Sequence, residues 1–180
     1  MKTIDPDFYE HPCTQALVEF VEDKQPKHVL DLGCGNGRDL NFLIKHNLIE
    51  KGVGVDDHHT PKIYSEFIET SVKIRFVKSD ILTFQCLEEE NTYDFICYNN
   101  SLEHLSYWEY SLKESFRLLK PNGWVMILAP YQMAHNDPDH KVYFSEVNLV
   151  LALANAKFRV SVVSKILGDN IGAIGEAIKK

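Results

Sequence analysis

The stretch Val29-Leu30-Asp31-Leu32-Gly33-Cys34-Gly35-Asn36-Gly37 joins an apolar run to a carboxylate and three alternate glycines. Glycine lets a backbone turn tightly and approach a ligand closely. The spacing is G-x-G-x-G, not the G-x-G-x-x-G of dinucleotide-binding loops. A carboxylate just before the loop, Asp31, repels a pyrophosphate and welcomes an ammonium group. Both features disfavour a nicotinamide dehydrogenase. A second polar stretch, His135-Asn136-Asp137-Pro138-Asp139-His140, carries residue types that bind divalent cations. All of them sit on one short loop, which rarely wraps a metal, so no metal site is expected.

These residues need a scaffold, and the chain alternates as one would. Thr14 to Lys24 has a helical apolar stripe, His28 to Leu32 is a strand run, and Arg38 to His46 is helical. Gly52 to Asp56 is a strand, and Thr60-Pro61 opens a helix to about Thr70. Ile74 to Val77, Tyr93 to Tyr98 and Trp124 to Leu128 are further strands. Helices are expected over Tyr107 to Leu119 and Ser145 to Ala156, the first stopped by the turn Lys120-Pro121-Asn122-Gly123. Strands that alternate with helices and are apolar on both faces predict a parallel α/β sheet. Phe158 to Ser164 and Ala173 to Lys179 have only a loop between them, so they must run antiparallel. The expectation is a Rossmann-like three-layer sandwich. Its seven-stranded, mostly parallel sheet has one antiparallel strand, Ala173 to Lys179, beside Trp124 to Leu128.

Composition limits the function. The 180 residues are 44% hydrophobic and 25% charged, the values of a globular protein, with a net charge of −7. Such acidity repels phosphate backbones and disfavours nucleic acid as a partner. The longest apolar run, Trp124 to Pro130, is far below the roughly 20 residues of a membrane span. The N-terminus has no apolar signal-peptide core. Four scattered cysteines, with no C-x-x-C pair, predict reduced, buried thiols and a cytoplasmic location.

From about Lys27 to Lys180 the ordered motifs resemble the class I S-adenosylmethionine-dependent methyltransferases. Asp31 to Gly37 resembles the family's first motif, whose loop passes under the methionine part of S-adenosylmethionine and brings in Asp31, Gly33, Cys34 and Gly35. Gly52 to Asp56 resembles the second-strand segment, whose terminal acid holds the ribose hydroxyls. The resemblance gives that role to Asp56, with Asp57 as the alternative. One carboxylate can accept from both hydroxyls of a vicinal diol. Ser79-Asp80-Ile81 resembles the acid-plus-apolar pair at the adenine. Tyr93 to His104 resembles the fourth-strand motif, with Asn99 at the cofactor. Phe116 to Trp124 resembles the R-x-L-K-P-G-G turn. Asn122 replaces its first glycine, and asparagine also tolerates positive φ.

The resemblance implies methyl transfer, an in-line displacement at a sulfonium carbon. The protein must align the acceptor, exclude water and, for a hydroxyl, take a proton. His140, with Asp137 or Asp139 to orient it, is the first candidate base, and His104 the second. The Asn-Pro-Pro-Tyr motif of nucleic-acid N-methyltransferases, the Pro-Cys of carbon-5 cytosine enzymes and the paired glutamates of arginine methyltransferases are all missing. The expected acceptor is a small-molecule or sugar-like hydroxyl or amine. Phe8, Tyr9, Tyr107, Trp108, Tyr110, Tyr131 and Tyr143 are candidates for lining its pocket or for the core. Residues 1–180 are read as one methyltransferase domain, with residues 1–25 a segment and helix placed to cover the cofactor. Short loops or a second subunit in a homodimer are the other covers. The alternative function is a catalytically silent cofactor-binding or partner-binding protein on the same fold.

Overall fold

A computed structural model describes residues 11–58, 73–131, 137–166 and 169–179. The elements run in chain order: α1 (Pro12–Lys24), β1 (His28–Leu32), α2 (Arg38–Lys45), β2 (Lys51–Asp56), β3 (Ile74–Lys78), α3 (Ile81–Leu87), β4 (Tyr93–Asn99), a 3-10 turn (Leu102–His104), α4 (Trp108–Leu118), β5 (Leu119–Pro130), α5 (Glu146–Asn155), β6 (Arg159–Ile166) and β7 (Asn170–Glu176). The helix expected from Thr60 to Thr70 lies outside the described residues.

The seven strands form one sheet in the order β3-β2-β1-β4-β5-β7-β6. The pairs from β3 to β5 are parallel, and β7 runs antiparallel to both β5 and β6. The register from Trp124↔Glu176 to Pro130↔Asn170 places the antiparallel strand where it was expected, although it spans Asn170–Glu176. Successive strand residues point to opposite faces. Val29, Phe95, Cys97, Met126 and Leu128 therefore pack with α1 and α2, through Leu17, Val21, Leu43 and Ile44. Leu30, Ile96, Tyr98, Val125 and Ile127 pack with α3, α4 and α5, through Phe84, Leu112 and Leu149. Among the described residues no helix is long and apolar enough to cross a membrane.

Three local differences have physical causes. Helix α3 was not expected: it spans only Ile81–Leu87, and one of its three buried residues, Gln85, is polar. Buried Gln85 donates to Tyr98 Oη, Ser111 O and Ser115 Oγ at 3.2, 3.0 and 3.0 Å, and Ser111 Oγ donates back to its Oε1 at 2.7 Å. A satisfied polar network fills a core as an apolar residue would, but hides the helical stripe. The Lys120–Gly123 turn is taken into β5, whose register to β4 jumps from Tyr93↔Leu119 to Phe95↔Trp124. Asn122 sits there at φ 62°, the left-handed conformation that its side chain tolerates. Cys13, Cys34 and Cys97 are buried as expected, but Cys86, on the outer side of α3, is exposed.

Candidate active site

Strand order reverses between β1 and β4, and open α/β sheets bind ligands at such a point, beyond the carboxyl ends of the strands. A cleft of about 930 Å³ lies there. Asp31, Gly33, Cys34, Gly35, Asp56, Asp57, Asp80, Ile81 and Asn99 all line it, as does His104. His140 does not, though its neighbours Asp139 and Lys141 do. Of the aromatic candidates among the described residues, Tyr107 reaches the cleft. His11 and Thr14, at the start of α1, contribute to its wall.

The glycine loop is held from below. Gly33 and Cys34 both donate to Val55 O, at 2.8 and 3.0 Å. Gly33, Gly35 and Gly37 all have positive φ, at 81°, 55° and 82°. A Cβ on Gly35 would meet nothing within 4 Å, so a ligand can reach the backbone there. Gly35 N donates to Asp56 Oδ2 at 2.9 Å, and His58 N to Oδ1 at 3.0 Å. Asp56 is buried and fixed by these bonds, whereas the Asp57 side chain is half exposed.

Asp31 is 2% exposed. Burial, reinforced by neighbouring Asp39, pushes its carboxyl up to about 8, and the Cys97 thiol donates to it at 3.4 Å. Asp39, in the first turn of α2, accepts from Asn99 Nδ2 at 2.7 Å, and burial raises its carboxyl too. The sequence reading passed over Asp39. Its place two residues after the last loop glycine was the available signal. Asp80 caps α3 by accepting from Thr83 N at 2.8 Å through Oδ1, which leaves Oδ2 unused by that bond. Cys34 is buried, and burial pushes its thiol far up, away from nucleophilic use.

His104 stands on another wall of the cleft, with His140 packed against it. His104 is exposed and half-buried His140 stands edge-on against it, with ring centroids 4.8 Å apart. Asp137 braces a turn. Its Oδ1 accepts from Asp139 N at 2.9 Å and its carbonyl from His140 N at 3.1 Å. Glu103, buried beside the two histidines, is a further residue that sequence reasoning passed over. Burial pushes its carboxyl up to about 7.

A family profile described as a methyltransferase domain matches residues 7–160. This chain belongs to the methyltransferase-domain family. The chain is 30% identical over 118 residues to the ubiquinone biosynthesis O-methyltransferase of Coxiella burnetii, a match that covers 63% of this chain and 49% of that one. It is 29% identical over 129 residues to the trans-aconitate 2-methyltransferase of an Enterobacter species, 72% of this chain and 48% of that one. The chain thus spans about half the length of these relatives. The 1,6-didemethyltoxoflavin-N1-methyltransferase of Burkholderia thailandensis, solved with its substrate and S-adenosylhomocysteine, superposes with a TM-score of 0.75 at 18% identity. That match covers 97% of this chain and 82% of that one.

The cleft fits S-adenosylmethionine chemically. A buried carboxylate pair suits an ammonium, a fixed acid suits a diol, and the open side of Gly35 admits a ligand at backbone distance.

Proposed function

We propose that this methyltransferase transfers the methyl group of S-adenosylmethionine to a small-molecule or sugar-like hydroxyl or amine. One observation carries this: a single cleft is lined both by Asp31, Asp56 and Asp80 and by His104, Tyr107 and Lys141. The bound cofactor supplies a methyl group on an activated sulfonium. Asp31, seconded by Asp39, holds the ammonium. Asp56 accepts from the ribose hydroxyls, and Asp80, through Oδ2, from the adenine amine. His104 takes the acceptor's proton, with His140 packed behind it. The order of the two candidate bases is thus reversed from the sequence reading, because His104 is the one that faces the cleft. The acidic chain and the small-molecule acceptors named for the Enterobacter and Burkholderia proteins support the acceptor class. Scattered free thiols support action in the cytoplasm.

The test is turnover. The protein is incubated with S-adenosylmethionine and a pool of small hydroxy and amino compounds, and S-adenosylhomocysteine is quantified by mass spectrometry. Product that depends on the pool is expected. Asp56→Ala should bind S-adenosylmethionine about tenfold to a hundredfold more weakly, the loss of roughly 1.5–3 kcal/mol of charge-assisted hydrogen bonding. Tight binding without turnover on any pool would favour the catalytically silent reading.

Asp31 gives this reading a pH signature. Its carboxyl sits up at about 8 in the free protein, and an ammonium binds the ionised form. Cofactor affinity should therefore rise with pH up to about 8, roughly tenfold per unit at most, with a proton released on binding. Free-protein stability runs the other way. The folded carboxyl stays protonated where the unfolded one, at about 3.9, has ionised, so the Asp31 contribution is lost as pH rises from about 4 to about 8. Calorimetry in two buffers of different ionisation enthalpy measures the proton. Affinity that is flat between pH 6 and 8 would remove Asp31 from the ammonium.

A further inference from the structure

Outside the cofactor acids, one cluster remains without a chemical account. A carboxylate oxygen of Glu103 and one ring nitrogen each of His104 and His140 all lie within 4.8 Å of one another. Glu103 is 2% exposed, yet neither carboxylate oxygen has a hydrogen-bond partner among the described residues. Burying an unpartnered carboxylate is costly, and native structures do so mainly where something else binds it. We propose that Glu103, His104 and His140 bind a divalent first-row transition cation of the zinc class.

The donor set selects that class. Two imidazoles and one carboxylate suit zinc and its neighbours, whereas magnesium and calcium take oxygen ligands. The backbone already joins the two segments, since Lys141 N and Val142 N both donate to Glu103 O, at 2.7 and 3.3 Å. Ligand atoms on one such ion, at bonds of about 2.0–2.2 Å, stand about 3–3.5 Å apart. The group must therefore contract by an ångström or more. His104 is exposed and can turn inward by rotating its side chain. Three protein ligands leave a coordination position open, the pattern of a catalytic rather than a structural site. Because His104 lines the cleft, the open position would face an acceptor hydroxyl or amine. Ligands sought along one loop were not sufficient, because the set joins the loop after β5 to the turn after β4.

Ligation would occupy the imidazole lone pair that takes the acceptor's proton in the metal-free reading, so with the ion bound the metal would acidify the acceptor in place of His104 acting as base. The test is therefore made on binding alone, without cofactor or acceptor. The purified protein is stripped with a chelator and titrated with Co2+, followed by its visible absorption, and then with Zn2+. One Co2+ per chain, displaced by Zn2+, is expected. His104→Ala and Glu103→Gln should each weaken Co2+ about a hundredfold while S-adenosylmethionine affinity, the check on folding, stays within about twofold. Co2+ binding equal in the wild type and His104→Ala, or no stoichiometric binding in the wild type, would overturn the site. A wrong acceptor class would instead show as intact Co2+ binding with no turnover on the small-molecule pool.

Discussion

Gly33→Ala should lower the unfolding temperature by roughly 4–20 °C, or prevent folding. Gly33 has φ +81°, where an alanine costs about 1–2 kcal/mol. Its Cβ would also lie 2.2 Å from Ser101 Cβ, and that neighbour has nowhere to go. Ser101 is buried, and its hydroxyl donates to Leu32 O at the end of β1. The loop would have to move instead, giving up the two bonds from Gly33 and Cys34 to Val55 O. Overpacking of this kind costs about 1–3 kcal/mol, for a total of about 2–5 kcal/mol. At about 2–4 °C per kcal/mol for a chain of this size, the shift is well outside error. Gly35→Ala is the contrast. It has φ +55° but nothing within 4 Å of its Cβ, so the strain is confined to the backbone. That variant should fold and lose cofactor affinity, because the methyl group fills the space beside the loop. A melting temperature for Gly33→Ala within about 2 °C of wild type would mean that the two loops are not clamped at this point.

The glycine case shows which parts of the molecule local sequence carries. The loop, the acid ending β2 and the antiparallel closing strand depend on residues close together in the chain. Alternate glycines force a tight turn, apolar runs force burial on both faces, and a connection without a helix forces strand reversal. What was missed depends on partners distant in sequence. Helix α3 points Gln85 inward, and its match is Tyr98, Ser111 and Ser115 on β4 and α4. Asp39 becomes a site residue because Asn99 and Asp31 close on it. Asp137 is a local case: its Oδ1 accepts from Asp139 N, a contact of two residues' range. Glu103, not Asp137, joins the histidines, because the loop after β5 hydrogen-bonds back to the turn after β4.

His104→Ala should slow turnover by about 10²–10⁴-fold while leaving S-adenosylmethionine affinity nearly unchanged. That is the usual contribution of a positioned base to a step whose proton must leave as the bond forms. The prediction rests on position. His104 is exposed on the cleft wall, whereas His140 is half buried behind it, with Tyr143 on another side at a centroid distance of 5.8 Å. If His140 acts only by holding the His104 ring, His140→Ala should cost clearly less than His104→Ala, and the double variant little more than His104→Ala alone. Added imidazole should restore part of the rate in His104→Ala, since the deleted side chain leaves space open to solvent. A structural role would not respond to it. A rate within about threefold of wild type in His104→Ala would remove the imidazole from the chemistry. The acceptor would then be an amine already deprotonated in solution, and the Asp31, Asp56 and Asp80 cleft would catalyse by alignment alone.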